Sequence, residues 1–220
     1  WVAMKTAMTL DGKRATRTGD SRWISGIEAR AYGHELRHRF MAILVGIGTA
    51  SADDPLLNCR IEGRGVRQPL RIVVDSNARL SLNSQLVKTA GEYRTMVACT
   101  CFAPQERVEA LREAGVEVLF CEEKEGLVCI GNLLELLGQS GIDSILLEGG
   151  GGLNYTFLSE GFVDEVYAFI APKIVGGTNA KTPVEVMGIE KMANAINLEL
   201  KNVLNIGDDV LLKLKVKNEF

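Results

Sequence analysis

Ser144-Ile145-Leu146-Leu147-Glu148-Gly149-Gly150-Gly151-Gly152-Leu153-Asn154-Tyr155 joins a short apolar run to a helical pattern through four consecutive glycines. The run Ser144–Leu147 has the length of a buried strand, and the pattern from about Leu153 to Glu160 reads as a helix. A strand that feeds a helix in this way is the building unit of a parallel α/β sheet. Consecutive glycines let a backbone approach a ligand closely, and a helix start offers N–H groups to an anion. The bland alternative is a flexible turn. The spacing is not the Rossmann fingerprint, because G-x-G-x-x-G begun at Gly149 or Gly150 ends on Asn154 or Tyr155. A nucleotide site of a different α/β fold fits better.

The same rhythm extends outward. Upstream, Ala42–Val45, Leu70–Val74, Met96–Cys99 and Val116–Phe120 read as strands, with helices over about Pro104–Ala114 and Leu133–Gln139. Ser25-Gly26-Ile27-Glu28 fits a capping box for a helix running to about His38. Met4–Lys13 reads as a strand entering a turn, and Asp53–Gln68 as a polar loop rich in glycine and arginine. Downstream, Val166–Ile170 is a buried strand. Asn197–Val203 and Val210–Lys217 flank Asn205-Ile206-Gly207-Asp208 as a hairpin. There Leu212, Leu214 and Val216 alternate with Lys213, Lys215 and Lys217, which predicts one wet face. The sum is one α/β domain over residues 1–220, with a mostly parallel sheet flanked by helices and a C-terminal antiparallel hairpin.

Composition narrows the function classes. Of 220 residues 46 % are hydrophobic, which allows a sizeable core and excludes a disordered chain. No apolar run approaches the about 20 residues of a membrane helix. Five cysteines (Cys59, Cys99, Cys101, Cys121, Cys129) form no C-x-x-C pair; reduced, mostly buried thiols in a cytoplasmic protein are expected. The net charge of −3 hides a split. Residues 1–80 hold thirteen Lys+Arg against eight Asp+Glu, hence +5, and the remaining 140 carry −8. Eleven of the fourteen arginines lie in those first 80 residues. Arginine suits bidentate phosphate recognition, so a small anionic ligand is expected there. No aromatic-interleaved basic stripe points to nucleic acid.

Three further motifs need weighing. Val175–Thr182 resembles a P-loop only superficially, with Val175 and Ala180 where glycines belong. His34-Glu35-Leu36-Arg37-His38 matches the H-E-x-x-H of zinc peptidases. That remote alternative needs a third ligand from a loop residue such as Glu62, and Arg30, Arg37 and Arg39 oppose a cation nearby. Trp23 is either core or the flank of a planar ring. Lys5, in an apolar strand, either faces water at an edge or meets a partner.

Taken in order, M-K-T-A-M-T-L-D-G-K (4–13), G-D-S-R-W-I-S (19–25) and I-L-V-G-I-G-T-A-S-A-D-D-P-L-L-N-C-R (43–60) resemble the reductase domain of the bifunctional riboflavin-biosynthesis deaminase/reductase. P-L-R-I-V-V-D-S (69–76), I-L-L-E-G-G-G (145–151) and F-V-D-E-V-Y-A-F-I-A-P-K-I-V-G-G (162–177) continue the match over nearly the whole chain. No H-x-E or P-C-x-x-C pattern of the family's zinc deaminase half is present. The start at Trp1 is expected to reflect a cut from a longer protein that carries that half.

The resemblance implies a dihydrofolate-reductase-like fold and NADPH as hydride donor. It implies 5-amino-6-(5-phosphoribosylamino)uracil as substrate, or its non-deaminated diaminopyrimidinone counterpart. Family cofactor positions fall on Ala7, Trp23, Thr49, Asp53, Ser76 and the run Gly150, Gly151, Gly152, Leu153, Asn154, Tyr155 and Thr156. Substrate positions fall on Ser21, Arg37, Leu57, Arg60 and Glu148. Arg79, by its charge, joins Ser76 as a selector of the 2′-phosphate. Lys5 is expected to polarise the opened sugar. No metal is expected, and edge strands make a homodimer the expected assembly. A nucleotide-binding module without catalysis is the binding-class alternative.

Overall fold

The elements in chain order are β1 (Val2–Thr9), α1 (Ile27–Arg39), β2 (Ala42–Gly46), α2 (Ile47–Asp53), β3 (Leu70–Val74), α3 (Gln85–Lys88), β4 (Thr95–Thr100), α4 (Gln105–Glu113), β5 (Glu117–Cys121), β6 (Glu123–Lys124), β7 (Leu127–Val128), α5 (Ile130–Gln139), β8 (Ile145–Leu147), α6 (Gly151–Ser159), β9 (Glu165–Ala171), β10 (Leu198–Ile206) and β11 (Asp209–Val216). This computed structural model describes residues 1–186 and 188–217. The chain divides into two compact units, Trp1–Gly33 with Leu147–Phe220, and His34–Leu146.

In the unit His34–Leu146, β2, β3, β4 and β5 lie side by side in that order, all parallel. Ala42 stands opposite Leu70, Arg71 opposite Thr95, and Met96 opposite Glu117. Strands covered on both faces need near-continuous apolar runs, and Ala42–Val45 and Ile72–Val73 supply them. Ile43, Val73 and Val97 pack with Leu80, Leu86, Val108 and Leu111. Each such side chain contributes about 1.5–3 kcal/mol by leaving water. Gly115, with φ 83°, closes α4. Its N–H reaches the Arg112 carbonyl, and the Val116 N–H reaches that of Leu111, a left-handed cap that favours glycine.

One of the eleven N-terminal arginines is not at the surface. Arg71 is 0 % exposed. A buried guanidinium needs acceptors for its donors. Nη1 donates to Leu56 O at 3.0 Å and to Thr89 Oγ1 at 2.9 Å. Nη2 donates to Leu86 O at 3.0 Å, to Tyr93 O at 2.8 Å and to Thr95 Oγ1. Burial pulls its pKa down to about 10, so it stays charged at neutral pH. The expectation that the arginine excess serves an anionic ligand therefore fails here. Arg71 is a structural cation bound by carbonyls and hydroxyls.

In the other unit the strand order is β10-β11-β9-β1. β1 runs parallel to β9, with Lys5 opposite Tyr167, and β11 is antiparallel to both β9 and β10. The hairpin turn is only Gly207-Asp208, because β10 continues through Ile206, which pairs with Asp209. Gly207 takes φ 60°, as a two-residue hairpin loop requires. This replaces the expected four-residue connection. Asp209 is buried, and its Oδ2 accepts the Gly26 N–H at 2.7 Å just ahead of α1.

The expected wet lysine face holds at Lys215 and Lys217, which are exposed, and fails at Lys213. Lys213 is half-buried, with Nζ 5.3 Å from the Tyr32 ring centroid and 5.9 Å from that of Tyr167, and Leu211 on its side of the strand is fully buried. A register shift between Leu200 and Asn202 keeps Leu198, Leu200 and Val203 aligned with Val216, Leu214 and Leu212. Those three β10 side chains are exposed. The cation is attracted to the ring faces, and the exposed apolar side chains belong to β10, since Leu212 and Leu214 are half-buried and Val216 is buried.

α6 begins at Gly151, two residues before the expected start. Gly150 is its extended N-terminal residue, with no side-chain cap. All five cysteines are free. Cys59, Cys99 and Cys121 are buried, while Cys101 is exposed and Cys129 lies half-buried at the start of α5. Among the described residues no helix is long and apolar enough to cross a membrane.

Candidate functional site

The expected site residues fall in both units, and each group has its own geometry. In His34–Leu146, Thr49 and Asp53 lie one helical turn apart on α2, both half-buried. Asp54 then turns into the left-handed region with φ 39°. Its Oδ1 accepts from Gln85 N at 2.8 Å, and its carbonyl from Gln85 Nε2 at 2.5 Å. Leu57 is buried with φ 51°, a strained conformation for a branched side chain.

Asn58 follows and is 5 % exposed. Arg37 Nη1 donates to the Asn58 carbonyl at 3.1 Å, and Arg60 Nη1 donates to its Oδ1 at 2.7 Å. Two arginines that lie twenty-three positions apart are thus brought to one residue. Between them, Cys59 is held by Gln68, whose Oε1 accepts from Cys59 N at 2.8 Å while Nε2 donates to Cys59 O at 2.9 Å. Burial pushes the Cys59 thiol pKa up, against the pull of the Arg37 charge. Ser76 is buried after β3, its Oγ accepting from Val128 N at 3.0 Å.

The histidines serve the same loop. His34 Nδ1 accepts the Arg60 N–H at 3.2 Å, and His38 Nδ1 accepts the Arg67 N–H at 3.1 Å. Glu35 pairs with Arg64 at 2.5 Å. No group of three metal-ligating side chains occurs among the described residues. H-E-x-x-H is here a helix face that anchors a loop, and nothing in it favours zinc.

In the other unit, which resumes at Leu147, Glu148 is half-buried and the glycines follow. These are not equivalent. A Cβ on Gly149 would stand 2.6 Å from Asn154 Oδ1, and one on Gly151 would overlap the Glu185 side chain. Nothing lies within 4 Å of a Cβ on Gly152. Leu153, Tyr155 and Thr156 are half-buried, while Asn154 is buried and its Nδ2 donates to Pro183 O at 2.8 Å. Arg14 Nη1 reaches the Gly149 carbonyl at 3.5 Å, a cation at the glycine turn that the sequence did not single out.

Trp23 is 64 % exposed and stacks under Arg30, whose Cζ lies 4.5 Å from the ring centroid. It is not core. Ser21 and Ala7 are half-buried. Lys5 is half-buried on β1, Nζ 5.7 Å from the Phe169 ring centroid; it meets a partner. Asp11, which ends the β1 turn, accepts from Thr9 Oγ1, Gly176 N and Val175 N. The Thr9 and Gly176 bonds hold its carboxyl down at about 2. Asn58, Gln68 and Arg71 also escaped the sequence reading, since a single polar residue inside a loop carries no periodic signal and Arg71 sits in an otherwise apolar strand.

The RibD C-terminal domain matches residues 1–212. The chain belongs to this family. It is 47 % identical over 212 residues to the riboflavin biosynthesis protein RibD of Actinobacillus pleuropneumoniae, covering 96 % of this chain and 56 % of that protein. It is 44 % identical over 218 residues to the 2,5-diamino-6-ribosylamino-4(3H)-pyrimidinone 5′-phosphate reductase of Methanothermobacter thermautotrophicus, covering 99 % and 98 %. The Acinetobacter baumannii RibD structure superposes with a TM-score of 0.84 at 29 % identity, over 99 % of this chain and 58 % of that one. This RibD-type reductase fold thus spans little more than half the length of the RibD proteins it matches, and almost all of the archaeal reductase.

Proposed function

We propose that the chain, as a single reductase domain, reduces C1 of the ribosyl group of 5-amino-6-(5-phosphoribosylamino)uracil to give the 5-phosphoribitylamino product of riboflavin synthesis, with NADPH as reductant. The observation that carries this reading is the meeting of Arg37 and Arg60 on Asn58. A guanidinium carries five N–H donors in a fork that matches a phosphate, and here two guanidiniums are brought to one residue. Leu57, buried in the same loop, joins the substrate set, and Ser21 and Glu148 supply hydrogen-bonding groups for the sugar and pyrimidine.

The residues present fit a dinucleotide. α6 starts without a side-chain cap, and Gly152 leaves open space beside its first turn, which suits a pyrophosphate. Gly150 through Thr156 would hold it, with Ala7, Trp23, Thr49, Asp53 and Ser76 completing the cofactor set. Arg79, whose side chain is 62 % exposed, is the cation for a 2′-phosphate. When bound, NADPH supplies a hydride. With the sugar open as an imine, the C=N electron pair moves to nitrogen, which takes a proton. Lys5 is the group we assign to polarising that nitrogen and steering its proton.

The 44 % identity to the archaeal pyrimidinone reductase over nearly its full length favours a second reading, in which the non-deaminated diaminopyrimidinone phosphate is the substrate. The test is loss of reduced-nicotinamide absorbance with each pyrimidine phosphate in turn. Oxidation with the uracil form alone supports the first reading, and oxidation with the diamino form alone the second. No oxidation with either, despite NADPH binding, leaves a binding module.

The free cysteines support a cytoplasmic location. Exposed Leu198, Leu200 and Val203 on the edge strand β10 support a homodimer, a second copy covering that face. The RibD relatives support a covalent link to a deaminase domain, whereas the archaeal relative supports a reductase standing alone.

A further inference from the structure

The loop Asp54–Arg60 has two non-glycine residues in the left-handed region, Asp54 at φ 39° and Leu57 at φ 51°. Such a backbone persists only when its surroundings over-determine it. Gln85 holds Asp54, Arg71 holds Leu56, and Gln68 brackets Cys59 on both main-chain atoms. Arg60 itself has further anchors, among them a 3.5 Å approach of its Nη2 to His34 Nε2. Its main-chain N–H donates to His34 Nδ1 at 3.2 Å, and its guanidinium donates to Asn58 Oδ1 at 2.7 Å. His34 is tied back in turn, its carbonyl accepting the Cys59 thiol at 3.2 Å.

We infer that His34 and Asn58 are positioning residues that fix Arg60 for the phosphate of the substrate. The inference rests on the proposed phosphate reading of Arg37 and Arg60. His34 places the Arg60 backbone, and Asn58 selects which edge of the guanidinium turns inward to the protein. The His34 ring turns Nδ1 toward the loop as acceptor for the Arg60 N–H, with Nε2 3.5 Å from Arg60 Nη2. Neither residue touches a reacting atom in this scheme. Their effect is on phosphate affinity, with hydride transfer unchanged.

The test compares the full chain carrying His34→Leu, His34→Asn, Asn58→Leu or Arg60→Ala. Each is assayed with the phosphorylated pyrimidine, with its dephosphorylated riboside, and with inorganic phosphate as competitor. Asparagine at 34 keeps an acceptor near the Nδ1 position, and leucine does not. His34→Leu and Asn58→Leu are expected to raise KM for the phosphorylated substrate about tenfold, the effect of one lost hydrogen bond to a charged group. kcat, KM for NADPH and turnover of the riboside stay within about twofold. His34→Asn recovers most of the loss, and inorganic phosphate inhibits both leucine variants more weakly. If Arg60→Ala shows this phosphate-specific loss but neither leucine variant does, the positioning roles are wrong and the phosphate reading stands. If Arg60→Ala affects phosphorylated substrate and riboside alike, the phosphate reading fails and takes this inference with it. A His34→Asn variant as impaired as His34→Leu also overturns the role given to Nδ1.

Discussion

Arg71 Nη1 donates to the carbonyl of Leu56 at 3.0 Å, fifteen residues back along the chain and one residue before the strained Leu57. Its acceptors are carbonyls and hydroxyls, so Arg71 is worth to the fold what those groups would lose without it. Arg71→Met leaves the carbonyls of Leu56, Leu86 and Tyr93 in a buried setting without this donor. Urea unfolding is expected to show a loss of about 3–5 kcal/mol. A loss below about 1 kcal/mol contradicts the structural role given to this cation.

The glycine turn separates packing from ligand approach. Gly149→Ala forces a methyl group against Asn154 Oδ1 and is expected to cost about 1–3 kcal/mol of stability. Gly152→Ala meets nothing and leaves the melting temperature within a few degrees, about 2–4 °C. Its expected effect is weaker NADPH binding, read by titration of nucleotide fluorescence. Unchanged nucleotide affinity in Gly152→Ala removes the α6 start from the proposed cofactor site.

Asp11 sets an acid-side dependence. Its folded pKa of about 2 lies below the ordinary 3.8, so its bonds to Gly176 and Val175 stabilise the fold fully above about pH 4. That contribution is lost as pH falls through about 2. Asp11→Ala should melt below the wild type at pH 6, with the gap closing on acidification. A gap that stays constant down to pH 2 shows that charge on Asp11 is not its source.

Thiol reactivity follows burial. Burial pushes Cys99 up to about 11 and Cys121 up to about 12, while Cys101 is exposed. Iodoacetamide on the native protein at pH 8 should label Cys101 well before the other two, with Cys99 and Cys121 reacting only after unfolding. Peptide mass spectrometry over a time course reads the order, and early labelling of Cys121 contradicts the β5 packing.

Leu200→Lys is expected to convert a dimer into a monomer in sedimentation velocity while leaving the melting profile of the hairpin intact. A wild type that sediments as a monomer at assay concentration removes the proposed homodimer.

Much of the fold was legible because burial leaves an unambiguous trace in some segments. Leu70–Val74 is framed by Pro69 and Asp75, and its strand matches the reading to the residue. α6 starts earlier than expected because glycine disfavours a helix interior yet is tolerated in the first turn, where the N–H groups have no intrahelical partner. The Leu/Lys alternation of β11 gives the exposed Lys215 and Lys217 correctly but not the cover over Lys213, which comes from Tyr32 and Tyr167, distant in sequence. The positions of Arg37, Arg60 and Glu148 came from resemblance. Asn58 and His34 emerge only when the chain folds back and places them beside Arg60.

Arg71 also bears on how a ligand meets the loop. Its guanidinium ties Leu56 to Leu86, Tyr93 and Thr95 at once, so Leu56 cannot peel away without taking an acceptor from a buried cation. The segment that presents Asn58 and Arg60 is therefore ordered as part of folding itself. A ligand arriving there meets a preorganised surface, and little of its binding free energy is diverted into freezing the chain.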